Sequence, residues 1–232
     1  ICVLTKFYFQ EKYIARKLYK LSYNQFEENT NFIDSINHYQ RVHNITLNGE
    51  QTDAVLASQT KGVSIITGGP GTGKTTIVRC ILELFKQENK RVLLCAPTGR
   101  AAKRLSESSG MGAKTIHRAL EMNPTENEGI FHRNENNPLD ADVIVIDEMS
   151  MVDVGLFYHL LKAVRSTTRI VMVGDKDQLP SVGAGNVLRD IIESKRLNVT
   201  QLVNIYRQGN DSLIITNAHL INSGKMPIID NT

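Results

Sequence analysis

The chain has 232 residues, a formal net charge of +3 and 41% hydrophobic residues. That length holds one large core and a smaller appendage, and the mild positive surplus allows a polyanionic partner without requiring one. No apolar run is long enough to cross a membrane, no segment reads as a signal peptide, and the three cysteines (Cys2, Cys80, Cys95) share no metal-ligand spacing, so packed thiols in a reducing cytoplasm are expected.

In residues 1–43, Tyr8, Phe9, Tyr13, Ile14, Leu18, Leu21 and Phe26 recur at helical spacing among lysines and glutamates. One or two amphipathic helices are expected, as the C-terminal part of a separate helical domain. The aromatic stripe reads first as helix packing and second as a platform for a base. Thr46 to Ala57 follows as a helix capped by Thr46 or Asn48. Within it Gln51 carries an amide that suits the N6/N7 edge of adenine, but the residues alone favour an ordinary exposed glutamine.

Val63 to Ile66 is a short β-branched run, as a buried strand requires. It leads into Gly68-Gly69-Pro70-Gly71-Thr72-Gly73-Lys74-Thr75, which fits the phosphate-loop pattern of a glycine, four residues, then Gly-Lys-Thr. The glycines let bare N–H groups approach an anion, and the helix-compatible run from Thr75 to Lys86 that follows points its positive dipole end at the same place. Lys74 adds a mobile charge for the β- and γ-phosphates, and Thr75 offers a hydroxyl to Mg²⁺. Nucleotide binding is expected here.

Arg91 to Ala96 reads as a second buried strand, stopped by Pro97. Thr98 to Leu105 starts a helix with Arg100, Lys103 and Arg104 in its first turns. Cations there oppose the helix dipole, so the segment reads either as a solvated basic face or as a track for phosphates. Thr115 to Leu120 is a short helix carrying His117. Residues 122–140 are rich in Asn, Glu, Pro and Asp, and read as a small inserted hairpin or loop. Val143 to Ile146 is a third buried strand, ending in Asp147 and Glu148. Asp147 suits Mg²⁺ through its water shell, and Glu148 suits a base for an attacking water. Asp153 to Val164 is helical, and Arg169 to Val173 is a fourth strand. It runs into Gly174 to Gly183, where Gln178 can sense a γ-phosphate or orient water. Helices at 186–193 and 211–222 flank a fifth strand at 199–203, which precedes Tyr206-Arg207-Gln208.

In this order the segments resemble superfamily 1 DNA helicases. Leu47 to Gln51 looks like the adenine-reading Q motif, Gly68 to Thr75 like motif I, Ala96 to Ala102 like motif Ia and Thr115 to Leu120 like motif Ib. Asp147-Glu148 looks like motif II, Gly174 to Gly183 like motif III, and Ile205 to Gln208 like motif IV. The wording Gly-Gly-Pro-Gly-Thr-Gly-Lys-Thr-Thr, Pro-Thr-Gly-Arg-Ala-Ala and Gln-Leu-Pro-Ser-Val-Gly resembles the RecD-like branch, the family of the exodeoxyribonuclease V alpha chain, over roughly residues 46–225.

The resemblance implies a RecA-like α/β phosphate-loop fold. It would be a three-layer sandwich on a mostly parallel sheet, spanning 44–208, with a short helical segment before it and the start of a second motor domain or a linker at 209–232. It implies ATP-dependent 5′→3′ translocation on single-stranded DNA in repair or recombination, with ATP and Mg²⁺ as cofactors. Other helicase–nuclease subunits are possible partners. By position, Gln51 would read adenine, and Gly69, Gly71, Thr72, Gly73, Lys74, Thr75 and Thr76 would hold the phosphates. Thr75 and Asp147 would hold the metal, and Glu148 would be the base. Gln178 and Arg207 would contact the γ-phosphate, while Pro97, Thr98, Arg100, Thr115 and His117 would line the DNA. Motifs V and VI do not occur before Thr232. Residues 1–232 are therefore expected to be a piece of a longer protein that binds ATP, hydrolyses it weakly and does not unwind. The alternatives are an ATP-driven switch and a non-catalytic module of a nuclease complex.

Overall fold

A computed structural model describes residues 4–26, 31–123, 130–204, 213–222 and 224–229. Six parallel strands form one sheet: β1 (Val63–Gly68), β2 (Val92–Ala96), β3 (Ala113–Thr115), β6 (Val143–Ile146), β7 (Arg169–Gly174) and β8 (Asn198–Leu202), in the spatial order β3-β2-β6-β7-β1-β8. Strands β4 (Met122–Asn123) and β5 (Ile130–Phe131) pair antiparallel, within the segment 122–140.

Strand β6 is apolar throughout, and β7 is apolar after Arg169, because both faces are covered. On β6, Ile144 and Ile146 pack into one core, while Val143 and Val145 pack into the other. On β7, Ile170 and Met172 alternate in the same way with Val171 and Val173. Each such buried aliphatic side chain contributes about 1.5–3 kcal/mol relative to exposure. The first core is closed by α1 (Thr5–Ser22), α6 (Ile116–Ala119), α7 (Val154–Lys162) and α8 (Val187–Ser194). The second is closed by α2 (Phe32–His43), α3 (Gly49–Thr60), α4 (Lys74–Gln87) and α5 (Gly99–Ser109). This is the expected three-layer sandwich. A last helix, α9 (Leu213–Asn222), ends before Gly224, whose φ of +72° suits a helix stop.

Within residues 1–43 the two helices pack on opposite faces of the sheet. Ile14, Leu18 and Leu21 of α1 belong to one sheet core, and Phe32, Ile36 and Tyr39 of α2 to the other. The stripe of α1 packs in part: Ile14, Leu18 and Leu21 are buried beside Gln10 and Tyr13 lies against their core, while Tyr8 and Phe9 are exposed. Strand β3 was not anticipated, since three residues with a lysine in the middle show no periodicity. Cys80 and Cys95 are buried thiols as expected, and burial pushes each up to about 12; Cys2 lies outside the described residues.

Candidate functional site

Parallel strands bring their carboxyl ends to one edge, where loops are free to hold ligands. The phosphate loop leaves β1 there. Gly71 and Gly73 stand at φ +77° and +86°, a backbone region that a side chain strains. They turn the chain so that α4 begins at Lys74 with Gly73 as its N-cap. Among the described residues no side chain caps that helix, and no acid lies in its first turn. Its first N–H groups, including those of Lys74, Thr75 and Thr76, are therefore left for an external anion. By contrast Asn48, Thr98, Thr115 and Asp153 each cap their own helices through a side-chain oxygen.

Hydrogen bonds stiffen the loop. Thr72 Oγ1 donates to the Gly69 carbonyl at 2.8 Å, and Lys74 Nζ donates to the carbonyls of Gly68 (2.5 Å) and Gly69 (2.9 Å). Gln51 joins from α3, as a member of a capping box. Its N–H donates to Asn48 Oδ1 at 2.8 Å, and its Oε1 accepts from Asn48 N–H at 3.1 Å. Its Nε2 donates to the Thr72 carbonyl at 3.2 Å. At 2% exposure this amide is engaged with the loop, a contact 21 positions away in sequence.

Asp147 and Glu148 follow β6. Glu148 takes a left-handed conformation (φ +53°), and its N–H donates to Asp147 Oδ1 at 2.9 Å. Burial pushes both carboxyls above the ordinary range. For Glu148 the neighbouring Asp147 adds to the rise, and Lys74 and Arg104 oppose it. Lys74 is pushed down by burial and pulled back by Asp175, Glu148 and Asp147, in falling order. The signs agree: Asp175, Glu148 and Asp147 all favour the charged form of Lys74, whose ammonium donates to the Gly68 and Gly69 carbonyls.

Asp175 was not singled out from the sequence. It is buried at the end of β7 and accepts from Asp177 N–H at 3.0 Å. Because β7 lies between β6 and β1, Asp175 stands between Asp147 and the phosphate loop. The signal was present: a glycine and an aspartate directly after an apolar run, as Asp147 follows β6. Arg104 was anticipated only as one charge of a basic face, yet it acts on Glu148.

Of the remaining candidates, Gln178 sits on the exposed turn after β7, where its N–H donates to the Asp175 carbonyl at 3.2 Å. The same turn is tied to β1 by Lys176 N–H donating to Thr67 Oγ1 at 3.2 Å. Pro97, Thr98 and Arg100 follow β2, while Thr115 and His117 follow or end β3; Ala96 and Thr115 are register partners. Both threonine oxygens accept from helix N–H groups, Ala101 and Arg118 respectively, each at 3.2 Å. Their hydroxyl protons remain able to donate to a phosphate. Arg100 is exposed, and the His117 ring lies 6.1 Å from that of Phe131. Tyr206, Arg207 and Gln208 lie outside the described residues.

The donor set fits a nucleotide with Mg²⁺. Among the described residues no three His, Cys, Asp or Glu side chains gather as a metal cage. Thr75 and one carboxylate match a cation that takes its other ligands from phosphates and water.

A family model described as an AAA domain matches residues 51–184, more than half of the chain. The RecBCD enzyme subunit RecD of Mycolicibacterium smegmatis is 41% identical over 167 residues, covering 62% of this chain and 30% of that protein. The ATP-dependent RecD2 DNA helicase of Deinococcus radiodurans is 40% identical over 163 residues, covering 70% of this chain and 22% of that protein. This chain thus spans less than a third of the length of either relative. Among solved structures, a crystal structure of Pif1 helicase from Candida albicans is similar with a TM-score of 0.56 at 25% identity, over 79% of this chain and 45% of that one.

Proposed function

The chain belongs to the AAA-domain family and is RecD-like, and on that premise we propose that it is the first motor domain of an ATP-dependent DNA helicase moving 5′→3′ on single-stranded DNA. The observation that carries the reading is the meeting of Lys74 with Asp147, Glu148 and Asp175 beside an uncapped helix N-terminus, at the ends of three adjacent strands. A site that only held a phosphate would gain nothing from three carboxylates, two of them pushed above their ordinary range. A site that hydrolyses needs a cation position and a base.

Bound ATP supplies the phosphoanhydride, and Mg²⁺ offsets its charge. The loop N–H groups with Gly69, Gly71, Thr72, Gly73 and Thr76 orient the phosphates, and Lys74 neutralises them. Thr75 and Asp147 hold the cation. Glu148 takes a proton from water, and its raised pKa places it nearer the pH of the reaction than an ordinary carboxylate. Gln178 senses the γ-phosphate from the next turn, with Arg207 as its partner. Gln51 belongs to the same site, where adenine reading and loop support make different predictions. Pro97, Thr98, Arg100, Thr115 and His117 carry the DNA strand.

The relatives are named as a RecBCD enzyme subunit and as an ATP-dependent DNA helicase, so other subunits are partners this chain can share with the first kind. Among the described residues no helix is long and apolar enough to cross a membrane, and the cytoplasm, where DNA is met, suits this motor. The test is ATP turnover by the full-length protein with and without single-stranded DNA. Strong stimulation, lost in Lys74→Ala, supports the motor. Turnover indifferent to DNA would make the protein a switch.

A further inference from the structure

Helix α1 has two unlike faces. Gln10, Ile14, Leu18 and Leu21 are buried. Opposite them stand Tyr8, Phe9, Lys12, Arg16, Tyr19 and Lys20, with Tyr23 as the C-cap. At 100° per residue these seven fall within an arc of roughly 120°. The four rings are between 51% and 66% exposed. Glu11, the one acid of the helix, falls outside the arc. Lys12, Arg16 and Lys20 make no ion pair among the described residues. The Lys12 ammonium lies 5.6 Å from the centre of the Tyr8 ring, and the rings of Tyr19 and Tyr23 meet edge to face at 4.8 Å.

The face has a defined place in the fold. Tyr13, on its flank, donates to Glu135 at 2.8 Å and packs against Tyr158 at 5.1 Å. Ring contacts continue from Tyr158 to His159 (5.2 Å), from His159 to Phe131 of the hairpin (4.6 Å) and from Phe131 to His117 (6.1 Å). Helix α1 therefore stands beside the hairpin, joined by edge-to-face and tilted ring contacts to His117, the residue proposed to end the DNA track.

We propose that the outer face of α1 is a second docking surface for single-stranded nucleic acid, outside the track formed by Thr98, Arg100, Thr115 and His117. Exposed rings offer stacking platforms, and cations one turn apart meet successive phosphates. From Tyr8 to Tyr23 the face runs about 22 Å at 1.5 Å per residue, enough for several nucleotides. An acidic protein would use the cations but leave four rings wet, and an apolar partner would strand three charges. No Asn, Gln, Asp or Glu lies in the arc to read base edges, so binding is tolerant of sequence.

The inference rests on the reading of the chain as a DNA motor, and the experiment separates the two. Full-length protein is titrated with a fork bearing both single-stranded tails and with a fork bearing only the tail on which the motor loads. The wild type is expected to bind the two-tailed fork about tenfold more tightly at low salt. The triple variant Lys12→Glu, Arg16→Glu, Lys20→Glu should lose that preference, with a log–log salt slope smaller by about 2, since each lost contact on a single strand removes about 0.7. The double variant Tyr8→Ala, Tyr19→Ala should lose the preference with little change in slope. Both should keep the single-strand-stimulated ATPase of the wild type. Wild-type discrimination between the forks in both variants overturns the proposal. So does protection of Tyr8 and Tyr19 from chemical modification in the DNA-free protein, because the rest of the chain would then cover the face. Absence of DNA-stimulated ATPase in the wild type would instead sink the motor reading, while fork binding still decides the role of α1.

Discussion

Gln51 separates two accounts of one residue. Truncation to alanine removes the Oε1 that accepts from Asn48 N–H and the Nε2 that donates to the Thr72 carbonyl. A buried polar group left unpaired costs about 1–3 kcal/mol. Asn48 is half-buried and belongs near the lower end, whereas Thr72 is 1% exposed and belongs near the upper end. Gln51→Ala should therefore destabilise the protein by about 2–4 kcal/mol. At roughly 2–4 °C per kcal/mol for a chain of this size, the melting temperature should fall by at least 4 °C. Gln51→Glu divides the two bonds. It keeps an acceptor for Asn48 N–H but faces the Thr72 carbonyl with a carboxylate, so the cap survives and the loop tether is lost.

If the tether positions the phosphate loop, the Glu variant should raise KM for ATP about tenfold, since 1.4 kcal/mol is a factor of ten. KM for GTP should rise in the same proportion, because the loop touches phosphates common to both. The assay is steady-state turnover of the full-length protein with each nucleotide, beside thermal melts. An adenine reader behaves differently: ATP would weaken, GTP would not, and the preference for ATP would fall. That outcome would refute the tether argument and return Gln51 to the role implied by resemblance.

Glu148→Gln should abolish turnover yet raise the melting temperature, because it removes a charge that burial and Asp147 both disfavour. The sign follows from linkage: a carboxyl raised in the folded state loses stability as pH rises through its folded value, and regains it as pH falls toward 4.5. The acid limb of ATP turnover should accordingly lie above pH 4.5 and be set by this group; an unchanged turnover in Glu148→Gln would reassign the base. Asp175→Asn removes the strongest charge holding the Lys74 pKa up, so the alkaline limb of turnover should move to lower pH, measured between pH 7 and 10. In Gly68→Ala the new Cβ would stand 2.7 Å from Thr72 Oγ1 and 3.0 Å from the Leu202 carbonyl; a strand backbone cannot yield as a side chain does, so a loss of about 1–3 kcal/mol is expected by denaturant titration.

The strands β1, β2, β6 and β7 were legible because each is largely apolar, as a strand covered on both faces must be; the edge strand β8, with Asn198, Thr200 and Gln201, carries no such run. The phosphate loop was legible because its chemistry is local: glycines, a lysine and a threonine act within eight residues. What could not be read depends on contacts that join distant positions. The Gln51–Thr72 bond is one, and the field of Asp175 at Lys74 is another, since it needs β7 to lie between β6 and β1. Helix α1 misled for a different reason. Its apolar residues at 8, 9, 14, 18 and 21 fit helical spacing loosely, and only the buried set at 10, 14, 18 and 21 shows that the stripe turns away from Tyr8 and Phe9.

The sheet also constrains how such a motor can work. Thr98 follows β2 and the phosphate loop follows β1, three strand spacings apart in the order β2-β6-β7-β1. At about 4.8 Å per spacing that is roughly 14 Å, and for Thr115 on β3 roughly 19 Å. The intervening strands are close-packed on both faces, so these distances do not change by sliding within the sheet. Charge can still pass along the edge: Arg104 of α5, the helix that Thr98 caps, acts on Glu148, so a strand held by that helix can bias the base. Displacement cannot arise in the same way, because the proposed DNA contacts and the nucleotide loop ride on one rigid layer. Stepping then requires a second body that closes on the carboxyl edge and carries its own grip on DNA. Residues 1–232 alone should bind ATP and hydrolyse it slowly. If they alone unwound a duplex, the motion would have to come from within this sheet, and the rigid-layer argument would fail.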